Sequence, residues 1–267
     1  MARIKAGDIH INYETYGEGE PLLLIMGFGM PGAAWLPTLP MITGFKCVYF
    51  DNRGTGNSDK PEGVYSVAQM ADDAANLLGA LGIARAKVFG VSMGGMIAQE
   101  LVLRHPERVA KVVLGCTLAG GPTAKMAGPE IVQQLTAGFK IMATDPGKAF
   151  DLIMPVVYPP EFVAAHPELK EMMVAGLAAV PATPAETVDR TMMGIMQFNA
   201  YDRLPQIKCP VLIVHGDKDI LVPTENAHII KSRIPHADLY IIPGAGHAFQ
   251  AADPVGIHKR IVDWLKR

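Results

Sequence analysis

Hydrophobic residues fall along this chain in short, nearly unbroken runs separated by longer stretches of helical period. The runs lie at 22–26, 47–50, 87–91, 109–114, 211–214 and 239–242. Continuous apolar runs of that length are what parallel strands covered on both faces require. Residues 9–16 instead alternate apolar and polar, the pattern of an antiparallel edge strand with one wet face. A 3.6-residue period predicts helices over 67–81, 94–103, 225–234 and 255–266. Strands joined by crossover helices make an α/β fold with a mostly parallel, doubly wound sheet.

One region breaks the alternation. From about 118 to 205 the pattern is helical with no convincing strand, and Pro122, Pro129, Pro146, Pro155, Pro159, Pro160, Pro167, Pro181 and Pro184 cut it into short helices. The expected organisation is a core built from 1–117 and 206–267, with 118–205 as a helical cap over one end of the sheet. Eight of the fifteen methionines fall in the cap. Most of them read as a small helical core, while Met192, Met193 and Met196 are candidates to line an adaptable apolar pocket.

Composition narrows the class. With 267 residues, 49% hydrophobic and 19% charged, the chain can bury a full core. Twenty-four basic against 26 acidic residues leave a net charge of −2. No like-charged block breaks that balance, so nucleic acid and anionic membranes are not expected partners. Cys47, Cys116 and Cys209 are far apart, odd in number and set within or beside apolar runs, which reads as buried thiols in a reducing compartment. Residues 1–8 have no apolar segment of the kind a secretory signal needs, and glycines and prolines interrupt the apolar stretch 21–45. The expectation is a soluble, cytoplasmic protein, with its oligomeric state left open.

Candidate chemistry begins at Gly90-Val91-Ser92-Met93-Gly94, a G-x-S-x-G pentapeptide set between an apolar run and a helical one. That context puts Ser92 on a strand-to-helix turn, where the flanking glycines let backbone pass close by and the helix N-terminus faces a developing oxyanion. A serine hydroxyl needs a general base and an orienting acid. His247 has the best setting for the base, in the Gly-rich loop 243–249 directly after the last predicted strand. For the acid, His215-Gly216-Asp217-Lys218-Asp219 offers Asp217 and Asp219, and spacing does not separate them. His215, Asp217 and Asp219 also admit a metal-site reading, disfavoured because alternate positions at a strand end splay unless the loop folds back.

The order Ser92, Asp219, His247 on a βα scaffold with a helical insertion resembles the α/β-hydrolase superfamily, in its capped esterase, enol-lactonase and carbon-carbon hydrolase branch. The resemblance spans almost the whole chain. Residues 21–29 look like that family's oxyanion strand, 51–58 like its D-x-R-G-x-G-x-S turn, 215–223 like its acid loop and Gly246-His247 like its terminal Gly-His. It implies that Asp219 is the triad acid and that the backbone N–H groups of Phe28 and Met93 form the oxyanion hole. Met26 departs from the pattern, standing where many relatives carry a histidine.

These features lead to an expected serine carboxylesterase for small to medium apolar esters, working through an acyl-enzyme without cofactor or metal. The alternatives are an enol-lactonase or a carbon-carbon hydrolase, for which Arg190 in the cap would pair with a substrate carboxylate, though Ala248 stands where such relatives carry tryptophan. A non-catalytic binding protein with an idle triad is a rival of another class. A dinucleotide-binding reading rests on Gly27-Phe28-Gly29-Met30-Pro31-Gly32, with Asp51 24 residues after Gly27, but Pro37 and Pro40 cut short the helix it needs.

Overall fold

Both faces of the central strands are packed, which is why their sequences read as unbroken apolar runs. On β3 (Glu20–Ile25), Leu23 and Ile25 enter one core cluster while Leu22 and Leu24 enter the other. On β7 (Val211–Gly216), Val211 and Ile213 divide from Leu212 and Val214 in the same way. The computed structural model describes residues 2–267; Met1, the first residue of the N-terminal stretch read above, lies outside the described residues.

The remaining strands are β1 (Ala2–Ala6), β2 (Ile9–Tyr16), β4 (Phe45–Phe50), β5 (Ala86–Val91), β6 (Val109–Gly115) and β8 (Asp238–Ile242). They form one sheet in the order β1-β2-β4-β3-β5-β6-β7-β8. Pairing is antiparallel on both sides of β2 and parallel from β4 through β8. One expectation is corrected here: β2 is not the edge strand, because β1 folds back on it through a two-residue turn at Gly7 and Asp8. Gly7 takes φ +68°, a conformation suited to such a hairpin turn, and this signal is short enough to escape a periodicity reading.

Helices α1 (Val67–Ala80), α2 (Met93–Arg104), α8 (Glu225–Arg233) and α9 (Pro254–Lys266) flank the sheet. Ser66 caps α1 by accepting the Gln69 N–H, and Asp253 caps α9 ahead of Pro254. Residues 118–205 carry α3 (Pro129–Ile141), α4 (Pro146–Val157), α5 (Pro160–Ala165), α6 (Leu169–Leu177) and α7 (Ala185–Met196). The one β-bridge here, Gly120 with Asn199, joins the two ends of this helical stretch. Among the described residues no helix is long and apolar enough to cross a membrane.

The strand order reverses between β3 and β5, which are parallel neighbours with Ile25 opposite Gly90. A crevice opens outside the carboxyl ends of strands at such a reversal. The loop after β3 and the turn holding Ser92 meet there.

Candidate active site

Ser92 is forced into its conformation by its neighbours. Its backbone sits at φ +56°, ψ −123°, a sparsely populated region for a residue with a side chain, and it forms the N-cap of α2. A Cβ on Gly90 would lie 2.1 Å from the Gly94 carbonyl oxygen, and one on Gly94 would lie 2.1 Å from the Ile25 carbonyl oxygen. Only hydrogen fits at either position. The turn is held from β6 and the residues just after it: the Gly115 carbonyl accepts the Ser92 N–H at 2.8 Å and the Thr117 hydroxyl donates to the Ser92 carbonyl at 2.8 Å.

The loop after β3 packs against this turn, since a Cβ on Gly27 would lie 3.1 Å from the Ser92 Cβ. Three contacts fix it: Asn52 Nδ2 donates to the Met26 carbonyl at 3.1 Å, Asp51 accepts the Gly32 N–H at 2.7 Å, and the Thr183 hydroxyl donates to the Gly29 carbonyl at 2.9 Å. Phe28 on this loop is buried edge-on against Phe139 of α3. Met93 opens α2, so its N–H has no acceptor within the helix. Met26 is packed into the core cluster on the α9 side of the sheet.

Asp219 and His247 face each other across the ends of β7 and β8. His247 Nδ1 lies 2.8 Å from Asp219 Oδ2, while Asp219 Oδ1 accepts the N–H groups of Leu221 at 3.0 Å and Val222 at 2.8 Å. Burial by itself would raise the Asp219 carboxyl, but the charge of His247 and hydrogen bonds from His215 and His247 outweigh it and hold the group at about 2. Gly216 makes the approach of the two loops feasible, since a Cβ there would lie 2.2 Å from the Ala245 carbonyl oxygen. Asp217 turns away and accepts the Gly244 N–H at 2.6 Å. The open choice between the two aspartates is thereby resolved in geometry: Asp219 is the one bonded to His247.

Cys116 directly follows β6 and is buried. Its thiol is pushed far above the usual range by burial and by the charge of Asp219, with an opposing hydrogen bond from the Ser92 backbone. Its backbone also takes a positive φ, +42°. Burial raises Cys47 and Cys209 to about 11 as well, so all three thiols are held protonated near neutrality.

The acid loop does fold back, bringing His215 to 3.2 Å from Asp219 Oδ2, but Asp217 is turned to Gly244 and the three do not converge. Among the described residues no group of three His, Cys, Asp or Glu side chains is placed to hold a metal. Against the dinucleotide reading, the segment after the Gly-rich loop is a four-residue 3-10 turn, Gly32–Trp35. Asp51 is buried and engaged by Asn12, Gly32 and Asn57 rather than free for a ribose.

The cap residues singled out for the pocket are placed elsewhere. Met193 and Met196 are 52% and 66% exposed, Met192 packs against the main core cluster, and Arg190 donates to the Pro61 carbonyl at 2.9 Å. The reason is the register of α7, whose buried face is Thr187, Val188, Thr191 and Gly194. A Cβ on Gly194 would lie 1.8 Å from the Tyr65 carbonyl oxygen, so α7 presses this small-residue face on the core and turns Met193 and Met196 outward. A cavity of about 240 Å³ instead lies between Gly29–Pro31 and the helices α4 and α6, with Met142, Phe150, Val174 and Leu177 among its walls. No charged side chain lines it.

Sequence comparison agrees with this architecture. The alpha/beta hydrolase fold family matches residues 20–254. The chain belongs to the α/β-hydrolase fold family. It is a hydrolase of that fold. A protein of Azorhizobium caulinodans named "Putative carbamate hydrolase RutD" is 30% identical, over 95% of this chain and 94% of its own. The thermophilic esterase of Thermogutta terrifontis superposes with a TM-score of 0.81 at 26% identity, covering 100% of this chain and 98% of its own. The enol-lactonase of Burkholderia xenovorans LB400 has the same fold, with a TM-score of 0.85 at 23% identity and 100% of both chains covered.

Proposed function

We propose that this hydrolase is a cofactor-independent serine carboxylesterase acting on neutral esters with an apolar acyl or alcohol group. The observation that carries the reading is the buried, ionised Asp219 bonded to His247 Nδ1, on the same sheet edge as the strained Ser92. In that arrangement the other nitrogen of His247 is the one available as a base.

Ser92 Oγ attacks the ester carbonyl carbon while its proton passes to His247 Nε2. Asp219 stays ionised and stabilises the imidazolium. The N–H groups of Phe28 and Met93 donate to the oxyanion of the tetrahedral intermediate. Collapse breaks the ester C–O bond, and the departing alkoxide takes the proton from His247 Nε2. Water then attacks the acyl-serine, giving its proton to His247; the acid leaves as Ser92 Oγ recovers that proton.

The cavity beside the Gly29 loop has no charged side chain in its walls, which begin one residue beyond Phe28, and a neutral apolar group is what such a lining would accept. At about 240 Å³ it exceeds the roughly 150 Å³ that accommodates benzene in an engineered protein cavity. Carbamate hydrolysis is the second reading, favoured by the name of the 30% identical relative; it uses the same addition to a carbonyl. Three protonated, unbridged thiols suit a reducing, cytoplasmic setting.

The test is one preparation assayed on nitrophenyl butyrate, an enol-lactone, a vinylogous diketone and an aryl carbamate. Fastest turnover of the ester, lost in Ser92→Ala with unchanged circular dichroism, supports the proposal. A carbamate, lactone or diketone preferred tenfold or more on the kcat/KM scale, about 1.4 kcal/mol, reassigns the substrate. Turnover of nothing in the panel points to a binding protein.

A further inference from the structure

A second imidazole stands behind the Asp219 carboxylate. His215, in β7, is wholly buried, with Nε2 2.7 Å from the Val222 carbonyl oxygen and 3.2 Å from Asp219 Oδ2. A carbonyl oxygen only accepts, so the proton is on His215 Nε2 and is shared between the two oxygens. Asp219 Oδ2 therefore has an imidazole N–H on each side, His215 and His247, while Oδ1 takes the Leu221 and Val222 N–H groups. Four donors match the roughly four lone-pair sites of a carboxylate.

The other nitrogen argues against a packing role. His215 Nδ1 is buried and has no hydrogen-bond partner. An unsatisfied buried polar atom is unfavourable, and the strand positions on either face beside it, Ile213 and Val214, are apolar. An aliphatic or aromatic residue would fill the site without that penalty. What a hydrocarbon cannot do is bind Val222 and Asp219 at once, closing the acid loop upon its own carboxylate.

Building on the serine-hydrolase reading, we propose that His215 is a positioning residue: its Nε2–H locks the Asp219 carboxylate in the orientation that presents Oδ2 to His247 and moderates how strongly that carboxylate draws a proton onto His247. The titratable groups acting on the Asp219–His247 pair are His215 from β7 and Cys116, directly after β6. Asp217 is turned to Gly244, and Lys218 pairs with Glu161 at the surface. Removing one donor leaves the carboxylate less stabilised and more attractive to the proton of His247.

The test compares wild type, His215→Phe and His215→Gln. Phenylalanine keeps the volume and removes the N–H; glutamine retains a donor. In His215→Phe, kcat on nitrophenyl butyrate falls roughly ten- to a hundredfold, the range found when a partner behind a metal-binding side chain is deleted. KM stays within twofold, and the acid limb of kcat/KM moves to higher pH. The ring titration of His247, followed by NMR on histidine-labelled protein, moves up by about one pH unit, an equilibrium effect of about 1.4 kcal/mol. His215→Gln recovers most of both. The NMR readout needs no turnover, so a chain that hydrolyses none of the esters still decides the question. An unmoved His247 titration in a folded His215→Phe protein overturns the proposal, as does a His215→Gln variant that behaves like the phenylalanine one.

Discussion

The Val157 carbonyl, in the last turn of α4, accepts the Ala248 N–H at 2.9 Å, so a helix of the 118–205 stretch fastens the loop that carries His247. The fit is close. A Cβ on Gly246 would lie 2.9 Å from both that carbonyl oxygen and the Pro159 ring. Gly246→Ala must shift the loop or the end of α4, and displacements near 1 Å cost about a hundredfold in rate. The expected outcome is a kcat loss of that order with a thermal midpoint lowered by only a few degrees. A variant with full activity would mean that His247 does not depend on α4 for its place.

Asp219→Asn should lower kcat by about 10⁴, as loss of the orienting carboxylate does in this kind of triad. Asp217→Asn should stay within a few-fold of wild type, because its partner is the Gly244 N–H and not His247. The two variants are compared at one pH on one ester, and the reverse ranking would reassign the acid.

The depressed Asp219 carboxyl ties stability to acidity. Its folded value of about 2 lies below the ordinary 3.8, so between those values the unfolded chain binds more protons and stability falls as pH drops. The stabilisation is complete above about pH 4 and fades as pH passes down through 2, amounting to about 2 kcal/mol for a difference of this size. Urea midpoints of wild type and Asp219→Asn, measured from pH 5 to 2.5, should converge toward the acid end. Parallel curves would show that the pair makes no such contribution.

Substrate length should respond to the cavity and not to the outward methionines. Val174→Trp or Leu177→Trp fills space beside Gly29–Pro31 and should shorten the preferred ester chain, with turnover of the acetate little changed. Met193→Ala and Met196→Ala should leave the chain-length profile as it is. A series of nitrophenyl esters from acetate to decanoate reads both effects.

Much of this was legible beforehand for a physical reason. Strands buried on both faces carry few polar positions, so β3, β5, β6 and β7 stood out as apolar runs despite Lys87 in β5 and Lys111 in β6, and the punctuation after β5 and β8 marked Ser92 and His247. Position on a helix face was less legible. In α7 the burial goes to Thr187, Thr191 and Gly194 because the core approaches through the backbone of Tyr65, and small side chains win there over large ones. Hydrophobicity alone picked the opposite side, Met193 and Met196. The grouping of His215 with Asp219 had a visible trace in their i,i+4 spacing after a strand, but only the turn at Leu221 and Val222 makes that spacing a contact.

The bridge between Gly120 and Asn199 places the start and the end of the helical stretch side by side, reinforced by the Ala200 N–H on the Ala119 carbonyl at 2.8 Å. A segment whose two ends already touch can be lengthened, shortened or exchanged with little added loop-closure entropy, because the distance it must span is fixed by the sheet. One set of helices can therefore be traded for another in such a fold without moving the strands that carry Ser92, Asp219 and His247.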